Sequence, residues 1–209
     1  FSLDPAVAAT LYPTISEDGE QIAFLFAEDG YCVIEGCILV TKVNLEKSWQ
    51  SDSVPALQTA VANQDPNYQF LNRGAALYHQ SHMTYLNVAQ AGGVRAITMH
   101  AQDTLVINNG SLKYEYRGLT PDGGYYLQAL IPVSLPFLPE NGAPNQETQP
   151  HFAVPMPESL PATYEEIVPI IQAHNAEVAV IIEETAVETF TPNLTLMDQF
   201  IASILIESD

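Results

Sequence analysis

Four strand-like segments follow one another between residues 76 and 139, and they limit the choice of fold more than any other part of the sequence. Short turns at 90–93, 108–110 and 121–124 separate the segments, and the last two turns contain Asn-Gly and Asp-Gly. These dipeptides supply the positive φ angles that hairpin turns require. The segments are rich in Tyr, Val, Ile and Thr, which suit a pleated, half-buried surface. Consecutive hairpins of this kind predict an antiparallel meander.

Hydrophobic periodicity and turn residues predict the other elements. Strands are predicted at 1–5, 22–28, 37–43, 76–89, 94–102, 111–120 and 125–134. A short helix is predicted at 54–63, and two further helices at 163–190 and from 191 onward. This order predicts an α+β fold, an antiparallel sheet of about six or seven strands covered by a short central helix and two C-terminal helices.

The two C-terminal helices have recognisable start signals. Thr163 and Glu166 form a capping-box pattern, and Pro169 is expected to kink the first helix or to delay its start. Thr191 is expected to cap the second helix, with Pro192 at its first position. The predicted apolar face of the first helix contains Tyr164, Ile167, Ile171, His174, Val178, Ile181 and Thr185. The predicted apolar face of the second contains Leu194, Met197, Ile201, Ile204 and Leu205.

Length and composition predict a single domain over residues 1–209, because 209 residues with 47% apolar side chains can build one core. Residues 135–161 contain seven prolines and are predicted to form an extended connector to the C-terminal helices. No apolar run reaches the roughly 18–20 residues needed to span a bilayer. Because the chain starts with Phe1 rather than Met, a removed leader or an upstream membrane tether stays open.

The net charge of −19 restricts the kinds of partner. All six Lys and Arg residues lie between positions 42 and 117, and residues 118–209 contain thirteen Asp and Glu residues without any Lys or Arg. This charge argues against nucleic-acid binding, which requires phosphate neutralisation, and against anionic membrane surfaces. A cationic partner or divalent cations stay open, and the alternative is that the charge serves solubility alone.

Cys32 and Cys37 are the only cysteines of the chain, and glycines lie close to both. Their Cys-x4-Cys spacing predicts a structural disulfide that closes a small loop, which implies an oxidising compartment. A zinc site would need further ligands, and a catalytic redox pair would have Cys-x-x-Cys spacing. The alternative is a pair of buried free thiols.

Three histidines, His79, His82 and His100, lie on the predicted strands. Because side chains alternate along a strand, His79 and His82 are expected on opposite faces, with Ser81 on the face of His79. The turn at 90–93 predicts that His79 and His100 share a face but lie about 13 Å apart, too far to share a metal ion. No acidic residue is nominated as a partner for Ser81 and His79.

Acidic segments are the remaining candidates for chemistry. Loops 16–20 and 28–30 are weak calcium candidates, because neither has the Asp-x-Asp-x-Asp-Gly spacing of an EF-hand loop. Glutamate pairs at 165–166 and 183–184 are adjacent on a helix and are expected on its solvated surface. The chain contains no nucleophile-elbow, phosphate-loop or dinucleotide motif. The sequence therefore nominates no catalytic residue, no metal ligand and no cofactor other than calcium.

Scarce positive charges beside tyrosines form the candidate ligand site. Arg95, Lys113 and Arg117 lie on predicted strands. Lys113 and Arg117 share one face of their strand, and Tyr114 and Tyr116 occupy the other face. One interpretation is that these cations are internal ion-pair partners, and the other is an anion or sugar site beside the tyrosines.

Several short runs between residues 70 and 209 carry a resemblance to known proteins. They are Tyr85-Leu86, Gly93-Val94-Arg95, Ile107-Asn108-Asn109, Tyr116-Arg117-Gly118-Leu119-Thr120, Asp122-Gly123, Tyr125-Tyr126, Pro132-Val133, 136–139 and Thr191-Pro192. In these runs the chain resembles uncharacterised exported proteins and lipoproteins of filamentous Chloroflexi-type bacteria. That resemblance implies a secreted or surface-tethered bacterial domain and brings no catalytic motif. The element order is also similar to the PsbP/Mog1-like fold, an α/β/α sandwich.

Three functions are consistent with these patterns. The first is a non-enzymatic extracellular binding or protein-interaction module with an unknown protein or small ligand as partner. The second is a hydrolase with a pocket between the sheet and the C-terminal helices, which a histidine close to a carboxylate in a polar pocket would favour. The third is a structural assembly subunit that packs through the Pro-rich connector or an exposed sheet edge.

Overall fold

The computed structural model describes residues 12–15, 21–25, 36–47, 50–71, 74–86, 92–103, 105–142 and 164–204. Its strands are β1 (Tyr12–Ile15), β2 (Gln21–Leu25), β3 (Cys37–Lys42), β4 (Ala76–Leu86), β5 (Gly92–Ala101), β6 (Leu112–Leu119) and β7 (Tyr125–Pro132). Its helices are α1 (Gln50–Asn63), α2 (Tyr164–Glu184) and α3 (Leu194–Ser203), with a short 3-10 helix at Val187–Thr189. This element order confirms the predicted α+β fold.

The seven strands form one antiparallel sheet in the order β1-β2-β3-β7-β6-β5-β4. Two meanders meet in its middle, where β3 pairs with β7 from Cys37 opposite Leu130 to Lys42 opposite Tyr125. The helix α1 lies in the connection between the two meanders. Within the described residues, β1 and β4 form the two edges of the sheet.

Alternation of side chains gives the sheet two faces, and helices cover both. The helices α2 and α3 pack on one face, called here the C-terminal helix face, where Ile182 and Leu194 join Ile97 in a buried cluster. The helix α1 packs on the other, called the α1 face, where Leu57 joins Val94. The core therefore lies in two layers, one on each side of the sheet.

The helix α1 begins at Gln50 rather than at the predicted Val54. The side chain of Gln50 is fully buried and ties the helix start to the end of β3. Its Nε2 donates to the carbonyl of Lys42 at 3.3 Å, and its Oε1 accepts from the backbone N–H of Asn44. This long-range anchoring cannot be read from local propensity, which explains the difference.

The helix α2 begins at Tyr164 and includes Pro169, so the proline does not delay the helix start. Val178 and Ile182 are buried, whereas Ile181 is 41% exposed, so the predicted place of Ile181 on the apolar face was wrong. Val178 and Ile182 lie one helical turn apart on the same side, which leaves Ile181 to turn outward.

The helix α3 is capped by Asn193, whose side chain accepts from the backbone N–H of Thr195 at 2.8 Å. The prediction that Thr191 caps this helix was therefore wrong. Thr191 instead forms an isolated antiparallel bridge with Ser134, and the Thr191-Pro192 peptide bond is cis. The bridge places the start of α3 beside the segment that follows β7.

The first residues of the Pro-rich connector pack onto the turn before β6. The side chain of Asn109 donates to the carbonyls of Leu135 and Leu138 and accepts from the N–H of Leu135. The predicted strand at 1–5, the cap at Thr163 and the connector from 143 to 161 lie outside the described residues. Among the described helices, none combines the length and apolar character needed to cross a membrane.

Candidate functional site

A buried carboxylate with its donors lies on the α1 face of the central strands. Glu115 on β6 is 1% exposed and accepts hydrogen bonds through both oxygens. Its Oε2 accepts from Thr98 Oγ1 at 2.9 Å and lies 3.1 Å from His100 Nε2. Its Oε1 accepts from Arg117 Nε and Nη2 at 2.8 and 2.6 Å and from Gln128 Nε2 at 3.2 Å. We call these five residues the Glu115 cluster.

Three neighbouring strands supply the Glu115 cluster by simple alternation. Glu115 and Arg117 are two residues apart on β6, so their side chains share a face. Gln128 on β7 lies directly opposite Arg117. Thr98 and His100, two residues apart on β5, complete the set from the other side. The cluster is therefore a cross-strand arrangement in the middle of the sheet.

Residues 68–71 cover the Glu115 cluster. The guanidinium of Arg117 donates through Nη2 to the carbonyl of Leu71 at 3.1 Å and lies 5.1 Å from the ring centroid of Phe70. The side chain of Gln80 holds this segment from β4, because it accepts from the N–H of Phe70 and donates to the carbonyl of Tyr68. The cover keeps Glu115 and Arg117 away from solvent.

The electrostatics keep Glu115 and Arg117 ionised. Burial alone would raise the pKa of Glu115, but Arg117 and the hydrogen bond from His100 outweigh it, and the pKa is lowered. Burial would lower the pKa of Arg117, but the nearby Glu115 carboxylate raises it. Such a buried pair is held in one geometry by its neighbours. The Nδ1 atom of His100 is buried and has no hydrogen-bond partner among the described residues.

A second charged cluster lies on the C-terminal helix face and links α3 to the sheet. Asp198 on α3 accepts from Arg95 Nε at 3.1 Å through Oδ1 and from Arg95 Nη2 at 3.3 Å through Oδ2. Asp198 Oδ1 also accepts from the hydroxyl of Tyr114 at 2.8 Å. Burial and the neighbouring Asp198 raise the pKa of Tyr114, so its hydroxyl stays protonated as a donor. Asp198 therefore attaches α3 to the sheet through Arg95 and Tyr114.

A β-bulge in β4 changes the expected places of two histidines. The pairing with β5 shifts between Ser81 and Thr84, and His82 has a φ of 50°. The N–H of His82 donates to Glu183 Oε2 at 2.8 Å, and its Nε2 lies 2.6 Å from the carbonyl of Ile182. His82 thus faces α2, on the same side of the sheet as His79, because the extra residue in the bulge interrupts alternation. The prediction of opposite faces for these two histidines was wrong.

His79 and Ser81 form a buried pair on β4. His79 Nε2 lies 2.7 Å from Ser81 Oγ, and both side chains are at most 5% exposed. They share a face, as predicted. His79 lies opposite Met99, so it faces α2 and α3, whereas His100 faces Glu115 on the other side of the sheet. The prediction that His79 and His100 share a face was wrong, because a register shift between Leu77 and His79 offsets the strands.

Burial lowers the pKa of His79 to about 4, with a smaller contribution from His82. The imidazole is therefore neutral at neutral pH. Among the described residues, no carboxylate bonds to His79. A substrate could not reach the hydroxyl of Ser81 without moving the surrounding core, since the hydroxyl is buried with its partner.

The candidate ligand site is divided between the two faces of the sheet. Arg95 lies opposite Tyr116 on the C-terminal helix face, together with Tyr114, whereas Lys113 and Arg117 lie on the α1 face. All five residues are at most 8% exposed. A single ligand therefore cannot touch all five, and Arg95 and Arg117 each bind an internal carboxylate.

The ring of Tyr116 lies over two glycines on neighbouring strands. A methyl group added at Gly118 would lie 2.8 Å from ring carbons of Tyr116, and one added at Gly93 would lie 2.6 Å from its hydroxyl. These glycines leave room for the ring, which is fully buried. Burial raises the pKa of Tyr116. Its role is therefore to fill the core.

A shallow surface pocket of about 550 Å³ lies between α1 and residues 65–71. Its lining is mostly apolar and includes Pro55, Ala56, Ala60, Asp65, Tyr68 and Leu71. Its Leu71 side chain is 65% exposed. The pocket lies directly outside the segment that covers the Glu115 cluster.

The remaining sequence predictions concern metals and cysteines. Cys37 is fully buried at the start of β3, whereas Cys32 and the calcium loops at 16–20 and 28–30 lie outside the described residues. The disulfide and the calcium loops therefore stay predictions. In the described part of the chain, no group of three or more His, Cys, Asp or Glu residues could hold a metal ion.

The sequence pattern does not single out Glu115 and Asp198, the carboxylates at the centres of the two charged clusters. A signal existed for Glu115, because strand alternation places it on one face with Lys113 and Arg117. No local signal pairs Asp198 with Arg95, since 103 residues separate them along the chain.

A scan against family models and searches of curated proteins and of solved structures find no match to this chain. Its function is therefore inferred from the placement of its own residues.

Proposed function

We propose that this chain is a non-enzymatic binding module that acts outside the cell and recognises a positively charged partner. The observation that carries the proposal is a separation of charge. Arg95, Lys113 and Arg117 are buried, and they are three of the five Lys and Arg residues that the structure describes. Among the described Asp and Glu residues, Glu115 alone is buried.

This separation makes the outer surface more acidic than the net charge of −19 alone implies. The exposed side of α2 illustrates it, with Glu165, Glu166, Glu177 and Glu184 all exposed. A surface of one sign attracts partners of the opposite sign and speeds their association. It also repels nucleic acids and anionic membranes. A basic protein segment is the class of partner that fits this field.

The extracellular assignment has separate support. The predicted Cys32–Cys37 disulfide and the resemblance to exported bacterial domains both favour an oxidising compartment. The disulfide is tested by alkylating the thiols of the exported protein after it has been unfolded in denaturant, without reductant. We expect both cysteines to resist alkylation until a reductant is added, and two reactive thiols would contradict it.

Calorimetric titration of the full chain with an end-blocked oligolysine peptide tests the binding proposal. We expect saturable binding that weakens as the ionic strength rises, because salt screens exposed charges. An oligoglutamate peptide of the same length is the control and should not bind. Equal behaviour of the two peptides would overturn the proposal.

A hydrolase is the second candidate, because two observations favour it. His79 lies 2.7 Å from the Ser81 hydroxyl, and His100 lies 3.1 Å from the Glu115 carboxylate. The two pairs lie on opposite faces of the sheet, so they cannot form one triad, and each is largely buried. A panel of ester and peptide substrates tests this candidate. Turnover that disappears in Ser81→Ala or His100→Gln would replace the binding proposal with the hydrolase.

A further inference from the structure

We propose that the pocket between α1 and residues 65–71 binds a peptide segment of a partner protein that presents a leucine-sized apolar side chain next to a Lys or Arg. This inference rests on the proposed function: the acidic surface as a whole attracts the basic partner, and the pocket anchors an apolar side chain of that partner on the α1 face. The pocket is outside both charged clusters, so binding there leaves the interior of the sheet unchanged.

The walls of the pocket offer apolar surface that water now covers. Pro55 and Ala56 are exposed on α1, and Leu71 is 65% exposed on the opposite side. Removing this apolar surface from water favours a complex. The shallow, open form of the pocket suits a side chain carried on a peptide better than a small molecule, which proteins usually enclose.

The pocket is formed before any ligand arrives, because side chains of β4 and β6 hold the wall that residues 65–71 form. The hydroxyl of Tyr85 donates to the carbonyl of Asp65 at 2.7 Å. Gln80 bonds the backbone of Tyr68 and Phe70, at 2.7 and 3.0 Å. Arg117 holds the carbonyl of Leu71. A preformed wall avoids the entropy cost of ordering a loop during binding.

The charge at the pocket rim accounts for the Lys or Arg that we expect next to the apolar side chain of the partner. Asp65 is the only charged residue among the described residues that line the pocket. One of its carboxylate oxygens accepts from the N–H of Asn67 at 2.9 Å, which fixes the side chain at the rim. A carboxylate beside an apolar surface favours a cation next to the inserted side chain and disfavours an acidic one.

Amide NMR shifts of the full chain, titrated with an end-blocked peptide of alternating Leu and Lys, test the proposal. We expect saturable shifts concentrated in residues 55–71. A peptide with Ser in place of Leu reports attraction to the acidic surface alone, and a peptide with Glu in place of Lys reports apolar contact alone. Both control peptides should bind more weakly than the Leu-Lys peptide.

Two substitutions sharpen the test. Leu71→Ser should weaken binding of the Leu-Lys peptide by about tenfold, since a mostly lost apolar contact costs about 1.4 kcal/mol. Leu45→Ser is the matched control, because Leu45 is 53% exposed and does not line the pocket, and it should bind as the wild type does. Asp65→Asn keeps the oxygen that accepts from Asn67 and should reduce both affinity and its salt dependence.

The outcomes distinguish the pocket from the broader proposal. Equal effects of Leu71→Ser and Leu45→Ser, or shifts centred on α2, would overturn the pocket assignment and leave the acidic binding surface standing. Failure of both Lys-containing peptides to bind would overturn the pocket assignment and contradict the proposed function as well. Thermal unfolding of each variant confirms that it is folded.

Discussion

At the scale of single residues, the interior of the sheet depends on one carboxylate that satisfies several donors. Glu115 accepts from Thr98, Arg117 and Gln128, with His100 in contact. Bringing ions into a protein interior is costly, and good geometry offsets that cost. The pair of Glu115 and Arg117 therefore specifies the local arrangement rather than adding large net stability.

Glu115→Gln tests this view of the buried ion pair. The substitution removes the charge while keeping one acceptor oxygen, so the Arg117 guanidinium stays buried without its counterion. We expect the free energy of unfolding to fall by about 3–5 kcal/mol, measured by urea denaturation. Glu140→Gln, at an exposed position, is the control and should change it little. A loss below about 1 kcal/mol would show that solvent reaches Arg117.

His79 makes stability depend on pH in a defined window. Its pKa is lowered to about 4 in the folded chain, against 6.5 for the unfolded reference. A lowered pKa means that the neutral form is favoured by folding, so this contribution is complete above pH 6.5 and is lost as the pH falls toward 4. The difference between the folded and unfolded pKa of His79 corresponds to about 3 kcal/mol in the free energy of unfolding.

Urea denaturation of the wild type and of His79→Gln across this pH range tests the contribution. Stability of the wild type should fall more steeply between pH 6.5 and 4 than that of the variant. The lowered pKa of Glu115 also reduces stability in acid, and it acts equally in both proteins. Parallel curves for the two proteins would show that His79 is protonated without unfolding.

At the scale of elements, the attachment of the C-terminal helices to the sheet is polar as well as apolar. Asp198 links α3 to Arg95 and Tyr114, and Glu183 links α2 to the backbone of His82. The bulge at His82 also interrupts the edge strand β4 and lets a carboxylate occupy one of its N–H groups. Bulges and local charges are common means of preventing edge-to-edge association. This edge is therefore a poor candidate for assembly through strand pairing.

Asp198→Ala should loosen α3 from the sheet. The loss leaves Arg95, whose side chain is 6% exposed, without its carboxylate. We expect the free energy of unfolding to fall by about 2–3 kcal/mol. This is less than for a fully buried pair, because the Asp198 side chain is partly exposed. The substitution should increase the rate of amide hydrogen exchange more in α3 than in α1. The neighbouring Gln199→Ala removes an exposed side chain and should change neither quantity.

The helices and strands of this fold are easier to predict from the sequence than the contacts between them. Hairpin turns and periodic apolar residues are local signals, so the meander from Ala76 to Pro132 and the two C-terminal helices were predicted. Contacts between distant elements have no such signal, which explains why the Arg95–Asp198 link and the β3–β7 pairing were not. The β4 bulge changed the places of His79 and His82, because one extra residue reverses alternation.

At the scale of the whole molecule, the buried charges hold the sheet together, and in the proposed function the exposed carboxylates attract the partner. The three buried cations are held inside the sheet, and the acidic residues of α2 point outward. Internal charges should then influence stability, whereas external ones should influence affinity for a cationic partner.

This division of roles is tested by calorimetry, which compares the affinity of two variants for oligolysine with that of the wild type. One variant neutralises the exposed glutamates Glu165, Glu166, Glu177 and Glu184 to Gln, and the other is Glu115→Gln, studied under conditions where it is folded. We expect the surface variant to bind several times more weakly while keeping its stability, and Glu115→Gln to bind as the wild type does. Weaker binding by Glu115→Gln, with the surface variant unaffected, would contradict this division of roles and place the functional site inside the sheet.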